Sequence, residues 1–180
     1  MENTPTPQKL TSLDQVLAEL KAIKGPTVVL GHLRPDADCL GSAIGLAGLL
    51  RAWGVDAYAM TPDPIPAHTK FMTQGADFLE FSRDFLKGRT LVTTDCATRG
   101  LLEKDGPVLD IALAIDHHLS HQPYARKYFV SDRQPSASEI VTELYRKAGV
   151  KPTLVAARAL FAGMSSDTGR WWWGGVTQES

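Results

Sequence analysis

The chain alternates between short apolar runs and longer segments in which apolar residues recur at helical spacing. Four runs have the length of buried strands, namely residues 27–30, 55–60, 90–94 and 111–115. Four longer segments are predicted helices, namely residues 12–23, 40–53, 136–149 and 152–164. Strands that alternate with helices form mainly parallel sheets. The pattern therefore predicts an α/β fold with a mainly parallel sheet flanked by helices on both faces.

Capping residues set the boundaries of several predicted elements. Ser12 is a suitable N-cap for the first helix, and Gly149 is a suitable end for the third. Residues 1–11 are polar and contain proline, so we expect them to form a flexible lead. A single domain is then expected over residues 12–180. The segment at residues 68–88 has mixed signals and is predicted to be helical in parts.

Glycine spacing in the second predicted helix indicates a close contact. Gly41, Gly45 and Gly48 lie near one face, so we expect this helix to sit close against the sheet. The same spacing occurs in dimers of membrane helices. The longest apolar stretch, however, has only 12 residues, 39–50, and falls short of the roughly 20 that span a bilayer.

Composition and charge narrow the functional classes. Apolar residues make up 43% and charged residues 22% of the 180 residues, which is the balance of a globular domain. The 19 lysines and arginines are matched by 20 aspartates and glutamates, so charge alone does not favour long duplex nucleic acid. Cys39 and Cys96 are predicted to be buried free thiols. The N-terminus has no signal-peptide pattern, and a soluble cytoplasmic protein without a membrane segment is expected.

Side chains able to bind metals follow the predicted strands. In an open parallel sheet, ligands bind beyond the carboxyl ends of the strands. Three predicted strands run into such side chains, and one more such side chain follows a predicted helix. The residues are His32, Asp95, Asp116, His117, His118 and Asp167. Carboxylate and imidazole groups suit Mn²⁺, Mg²⁺, Zn²⁺ or Fe²⁺ rather than a structural thiolate site.

The loop GHLRPDADCLGS, residues 31–42, adds two carboxylates to this edge. Taken alone, Asp36 and Asp38 are better explained as turn or N-cap residues, and His32 as a hydrogen-bonded loop residue. Several carboxylates at one edge repel one another unless cations neutralise them. Two divalent ions roughly 3.5–4 Å apart would do so and would also activate a water for phosphoryl chemistry. The carboxylates and histidines of this loop and of the strand ends together therefore predict a two-metal site.

Four motifs resemble, in their order, those of the DHH phosphoesterase superfamily. They are GHLRPDADCLGS (31–42), TTDCA (93–97), AIDHHLSH (114–121) and SSDTG (165–169). The superfamily includes RecJ exonucleases, family-II inorganic pyrophosphatases and the bacterial nanoRNase/pAp phosphatases. The resemblance covers roughly residues 15–175, and the residues flanking the first and last motifs are most similar to the nanoRNase/pAp phosphatases.

The resemblance implies a role for each motif residue. One ion would be held by His32, Asp36 and Asp95, and the other by Asp38, Asp95, His117 and Asp167, with Asp95 as the bridge. Asp116 and His118 would be the catalytic pair, Asp116 as support and His118 as phosphate contact or proton source. The implied reaction is phosphoester hydrolysis by a hydroxide that bridges two ions. Mn²⁺ is the expected metal, with Mg²⁺ or another divalent ion as an alternative.

The sequence departs from the family pattern after the third and fourth motifs. His121 stands where members often have asparagine. The segment RWWWGG lacks the arginine that usually follows the last motif, so Arg170 and Arg99 are the predicted substrate contacts. The tryptophans at 171–173 are able to stack a base, but we interpret them as a surface that meets another domain.

The resemblance also implies a substrate class and its alternatives. Family members have a second, C-terminal domain with a Gly-rich, His-containing substrate motif, which residues 1–180 do not contain. The expected substrate is a short oligonucleotide or a nucleotide of the 3′-phosphoadenosine 5′-phosphate type. The alternatives are an inorganic pyrophosphatase-like hydrolase and a catalytically silent module that binds metal or nucleotide. The oligomeric state is open, and a homodimer is one option.

Overall fold

A six-stranded parallel β-sheet forms the centre of the structure, a computed structural model that describes residues 6–102 and 106–169. Its strands are β1 (Gln8–Lys9), β2 (Thr27–Leu30), β3 (Ala57–Met60), β4 (Thr90–Thr94), β5 (Ile111–Asp116) and β6 (Lys127–Val130). Across the sheet their order is β1-β6-β5-β4-β2-β3, and every neighbouring pair is parallel. The predicted α/β fold with a parallel sheet is confirmed.

Five α-helices lie in the described residues, and several end at the predicted capping residues. They are α1 (Leu13–Ala22), α2 (Ala37–Ala52), α3 (Arg83–Leu86), α4 (Ala137–Ala148) and α5 (Leu154–Asp167). Ser12 and Ser136 cap α1 and α4 by accepting hydrogen bonds from backbone amides of the first turn. Gly149 follows α4 in the left-handed conformation, with a φ of 66°. None of these helices is long and apolar enough to cross a membrane.

Apolar side chains pack on both faces of the sheet, because successive strand residues point to opposite sides. Val29 and Val92 face a layer formed by α1, α2, α4 and α5. Val28 and Leu30 face the other side, which is covered by α3, a 3₁₀ turn at Arg99–Leu101 and adjoining loops. Both faces are therefore covered, as predicted, but one layer is much thinner than the other.

The structure differs from the predicted elements near the N-terminus and in one helix. Gln8–Lys9, which fall in the expected flexible lead, form β1 and pair with β6 at the edge of the sheet. The helix predicted from residue 40 begins at Ala37, because Asp36 already caps it. The strand β6 lies outside the predicted strands, since its short KYFV segment is only partly buried.

Gly41 brings α2 close to other helices rather than to the sheet, which corrects the expectation for this glycine face. A Cβ atom at Gly41 would lie 2.5 Å from the carbonyl oxygen of Ala159 in α5 and 2.7 Å from Ser138 Oγ in α4. Because real Cβ atoms do not approach so closely, only glycine allows this contact. The contact fixes α5 against α2, and α5 ends at Asp167.

The sheet places the C-terminal ends of β2, β4 and β5 side by side. β2 pairs with β4 as far as Leu30 and Thr93, and β4 pairs with β5 as far as Thr94 and Ile115. The segments that follow these strands therefore leave the sheet at one edge. This edge holds His32, Asp95 and His117, each one or two residues beyond the end of its strand.

Candidate metal centre

Asp95 lies at the centre of a cluster of carboxylates and imidazoles at the C-terminal edge of the sheet. It follows β4 with a φ of 55°, a left-handed conformation that residues other than glycine rarely adopt. Its backbone amide donates to the Ile115 carbonyl, and the residue is only 2% exposed. Oδ2 of Asp95 lies 3.5 Å from His32 Nε2, and Oδ1 lies 3.3 Å from His117 Nε2. The two carboxylate oxygens therefore face two different groups of side chains.

The first group consists of His32, Asp36 and Asp95, whose ligand atoms lie within 4.8 Å of one another. His32 donates from Nδ1 to the Leu33 carbonyl at 2.7 Å, so its Nε2 is directed to the carboxylates. Asp36 Oδ2 lies 4.0 Å from that Nε2, while Asp36 Oδ1 accepts the Cys39 amide as the N-cap of α2. Capping and metal binding are therefore compatible roles for Asp36, one for each oxygen.

The second group consists of Asp38, His117 and Asp167. His117 Nε2 lies 3.8 Å from Asp38 Oδ2 and 3.4 Å from Asp167 Oδ2. Asp38 is fully buried, and its two oxygens accept the backbone amides of Ala137 and Ser138 at the start of α4. The carboxylate thereby also stabilises the positive end of that helix. The second group thus joins three helices and the β5 loop at one point.

Burial and repulsion keep protons on two carboxyl groups of this cluster, and attraction to the carboxylates keeps a proton on His117. Burial, together with the charges of Asp95 and Asp167, raises the pKa of Asp38 well above its usual range. Burial and the charge of Asp95 raise the pKa of Asp167 to about 6. Burial alone would lower the pKa of His117, but Asp95, Asp38 and Asp167 outweigh it and raise that pKa to about 9. The cluster therefore binds protons that the same groups would release in water.

Two atoms of the cluster are buried without a hydrogen-bond partner among the described residues, Asp95 Oδ1 and His117 Nε2. They lie 3.3 Å apart as an ion pair without the geometry of a hydrogen bond, and a buried polar atom that makes no hydrogen bond costs up to about 1–3 kcal/mol. A divalent cation between these groups would give both atoms a ligand bond and would offset the repulsion of the carboxylates. Oxygen and imidazole donors suit Mn²⁺, Mg²⁺, Zn²⁺ or Fe²⁺. The residues present therefore fit the metal ions that the sequence resemblance implies.

Asp116, the last residue of β5, supports the loop that carries the two histidines. Its Oδ1 accepts the backbone amides of His117 and His118 at 2.8 and 3.2 Å and the His118 Nδ1–H at 2.8 Å. Its Oδ2 accepts His121 Nδ1–H at 2.7 Å. Burial acts to raise the pKa of Asp116, but the bonds from His118 and His121 outweigh it and hold that pKa well below its usual range. Both oxygens are thus occupied within the chain.

A cavity of about 410 Å³ opens beside the cluster. It is lined by carboxylates of both groups together with His118 and Arg34. The His118 side chain is 43% exposed, and its Nδ1 is held by Asp116, so its Nε2 is free to face a ligand. A volume of this size is within the usual range for small-molecule sites.

The structure brings the six predicted metal ligands together, and their role as ligands stays a prediction. The predicted substrate contact Arg99 is not among the residues that line the cavity. Its guanidinium donates to the carbonyls of Leu109 and Tyr124 at 2.8 and 2.6 Å. The other predicted contact, Arg170, lies outside the described residues, as do the tryptophans at 171–173.

Two residues of the site were not predicted from the sequence. His121 has a side chain that is 2% exposed and bonded to Asp116, and it stacks on the Tyr128 ring at an interplanar angle of 15°. The sequence does distinguish this position, because His121 stands where family members often have asparagine after the DHH triplet. Arg34 lines the cavity, but an arginine in a loop has no spacing that distinguishes it from a surface residue.

A parallel α/β domain with a carboxylate and imidazole cluster at the C-terminal edge of its sheet defines the class of this protein. Residues 26–164 match the model of the DHH family, N-terminal domain. The chain therefore belongs to the DHH family, and the predicted resemblance to this family is confirmed.

Known relatives agree with this assignment. The chain is 29% identical over 177 residues to the bifunctional oligoribonuclease and PAP phosphatase NrnA of Thermus thermophilus, across 98% of this chain and 54% of that protein. It is 28% identical over 147 residues to a probable manganese-dependent inorganic pyrophosphatase of Streptococcus mutans, across 78% and 47% of the two chains.

A solved structure has the same fold. It is that of an exopolyphosphatase-related protein from Bacteroides fragilis, with a TM-score of 0.79 at 21% identity. The superposition covers 93% of this chain and 53% of that one. This chain spans about half the length of the curated relatives it matches.

Proposed function

We propose that this chain is the metal-binding part of a phosphoesterase that hydrolyses short oligonucleotides or a nucleotide of the 3′-phosphoadenosine 5′-phosphate type. The observation that carries the proposal is the cluster of four carboxylates around the buried atoms Asp95 Oδ1 and His117 Nε2, which lie 3.3 Å apart as an ion pair and make no hydrogen bond among the described residues. Such a cluster is costly unless cations compensate it. A cation site beside an open cavity is the arrangement that phosphoryl chemistry needs.

The six side chains divide into ligands for two divalent ions, with Mn²⁺ as the preferred metal. His32 and Asp36 would hold one ion, Asp38, His117 and Asp167 would hold the other, and Asp95 would contact both. When bound, the ions would act as Lewis acids that lower the pKa of a water and neutralise phosphoryl oxygens. Because Asp38 keeps its bonds to the α4 amides, it would hold its ion through the remaining lone pairs.

Proton transfer by the chain itself would come from His118. Asp116 accepts the Nδ1–H and fixes the plane of the ring, which leaves Nε2 for the cavity. From Nε2 the ring would donate a proton to the leaving oxygen of the ester. His118 would then be the catalytic residue and Asp116 the residue that positions it.

Relatives support the choice of substrate class. The NrnA protein of Thermus thermophilus matches nearly the whole chain, whereas the manganese-dependent pyrophosphatase matches less of it. The second candidate function, hydrolysis of pyrophosphate, is supported by that pyrophosphatase. Because the relatives are about twice as long as this chain, we also propose that a second domain completes the substrate site.

The test is phosphate or mononucleotide release from three substrates, a dinucleotide, 3′-phosphoadenosine 5′-phosphate and pyrophosphate. It is carried out with Mn²⁺ and with chelator, on this chain together with whatever its gene encodes after Ser180. We expect Mn²⁺-dependent turnover of one or both nucleotides and little of pyrophosphate. Preference for pyrophosphate would favour the second candidate. Metal binding without turnover of any substrate would favour a silent binding module.

A further inference from the structure

Two residues other than glycine have a positive φ in the described part of the chain, and both line the same cavity. They are Asp95 and Arg34, each with a φ of 55°. Such a conformation costs of order 1–3 kcal/mol and is retained where the surrounding structure and the function require it. For Asp95 the reason is its central place between the two groups of ligands. Arg34 has the same conformation and no part in either group.

The loop around Arg34 is held in place from two sides. The amide of Arg34 donates to Asp63 Oδ2 at 2.9 Å, and the amide of Leu33 donates to the Leu101 carbonyl at 2.7 Å. Neither bond uses the guanidinium. The structure thus fixes the backbone at Arg34 and leaves its exposed side chain at the cavity.

The charge balance of the site calls for a cation of this kind. Four carboxylates, Asp36, Asp38, Asp95 and Asp167, carry four negative charges when ionised, which two divalent ions would neutralise. A phosphate that then enters the cavity brings further negative charge. Among the described residues that line the cavity, Arg34 is the only one that is a lysine or an arginine. A guanidinium binds phosphate oxygens by paired, charge-assisted hydrogen bonds.

We propose that Arg34 binds a phosphate group of the substrate at this cavity, and that Asp63 positions Arg34 by holding its backbone in the left-handed conformation. The inference rests on the proposed function for the class of substrate and adds the residue that recognises its phosphate. It replaces Arg99 in that role, because the guanidinium of Arg99 is bonded to backbone carbonyls.

The experiment is calorimetric titration of the metal-loaded chain with inorganic phosphate, after Mn²⁺ binding has been measured alone. Arg34→Gly removes the guanidinium and also relieves the strain, since glycine adopts a positive φ freely. We expect phosphate affinity to fall about 10- to 100-fold, with Mn²⁺ affinity unchanged and the melting temperature equal or higher. Arg34→Lys keeps the charge and the strain and should lose less phosphate affinity than Arg34→Gly.

Arg126→Ala is the matched control for loss of one positive charge. Arg126 comes directly before β6 and therefore lies at the N-terminal ends of the strands, whereas the cavity lies at their C-terminal ends. There it forms an ion pair with the exposed Asp110. We expect Arg126→Ala to change phosphate affinity by less than about two-fold, because solvent ions screen the charge of Arg126 from a phosphate at the other end of the strands. Equal effects of Arg126→Ala and Arg34→Gly, or none from Arg34→Gly, would overturn the inference. Mn²⁺ binding without phosphate binding in the unaltered chain would overturn it and leave the metal site standing, whereas absence of Mn²⁺ binding would overturn the proposed function itself.

Discussion

Asp95 Oδ1 and His117 Nε2 lie 3.3 Å apart, and both are buried without a hydrogen-bond partner among the described residues. The other oxygen of Asp95 lies 3.5 Å from His32 Nε2. Asp95 is therefore the residue through which the two groups of side chains meet. Its left-handed backbone, held by a bond to the Ile115 carbonyl, aims the carboxylate between them.

Asp95→Asn should abolish binding at both metal sites, whereas Asp36→Asn should weaken one. Asparagine is as good an N-cap as aspartate, so Asp36→Asn keeps the start of α2 intact. Calorimetry with Mn²⁺ measures the number of sites and the affinity of each. We expect no measurable site in Asp95→Asn and one retained site in Asp36→Asn. Retention of a full-affinity site in Asp95→Asn would mean that this carboxylate is not shared.

His117→Ala and His118→Ala should separate metal binding from turnover. His117 Nε2 faces the carboxylates of the second group, while His118 Nδ1 is bonded to Asp116. We expect His117→Ala to lose Mn²⁺ affinity. His118→Ala should keep it and reduce turnover by roughly 10²–10⁴-fold, as expected for loss of a general acid. If His118→Ala loses Mn²⁺ as severely as His117→Ala, the two roles are wrongly assigned.

Gly163→Ala should damage the metal site although alanine is the better helix former. A Cβ at Gly163 in α5 would lie 2.1 Å from Ser138 Oγ and 3.0 Å from Asp38 Oδ1. Helix propensity alone predicts a gain of about 1 kcal/mol, but overpacking of this kind costs about 1–3 kcal/mol. We expect a lower free energy of unfolding and weaker Mn²⁺ binding. Gly25→Ala, where no atom lies within 4 Å, is the control and should affect neither.

The order of most strands and helices along the chain was predictable because most of these elements have a local signal. Ser136 and Gly149 set the ends of α4, and the apolar runs gave β2, β4 and β5. The pair Gln8–Lys9 had no such signal, because its strand exists only through pairing with β6. A two-residue edge strand is fixed by a tertiary contact rather than by its own composition.

The residues of the site could be predicted from the sequence, but their arrangement in space could not. From the sequence alone, Asp38 is explained as the cap of its own helix. In the structure, its carboxylate accepts hydrogen bonds from the amides of Ala137 and Ser138, about a hundred residues away. The bond between Asp116 and His121 likewise depends on the course of the loop after β5. Long-range contacts of this kind are formed by the fold, and no spacing in the sequence encodes them.

The metal-free protein should lose stability as the pH rises from about 5 to 9. The pKa values of Asp167 and His117 are raised in the folded state, to about 6 and about 9. A raised pKa stabilises the fold while the group stays protonated, and this contribution is lost as the pH passes the folded-state pKa. The groups with lowered pKa, Asp95 and Asp116, act below pH 4 and outside this window.

Mn²⁺ should reverse this trend, because protons compete with the metal for the same atoms. Melting temperatures measured with chelator and with Mn²⁺ across the pH range test the linkage. We expect the difference between the two curves to widen from pH 5 to pH 9. Parallel curves would mean that the metal does not bind to the groups that hold these protons.

Anomalous scattering at the manganese edge, from crystals soaked in Mn²⁺, tests the two-metal claim most directly. We expect two peaks roughly 3.5–4 Å apart. One should lie among His32, Asp36 and Asp95, and the other beside His117, with Asp95 in contact with both. A single peak away from Asp95, or two peaks that do not share it, would contradict the account.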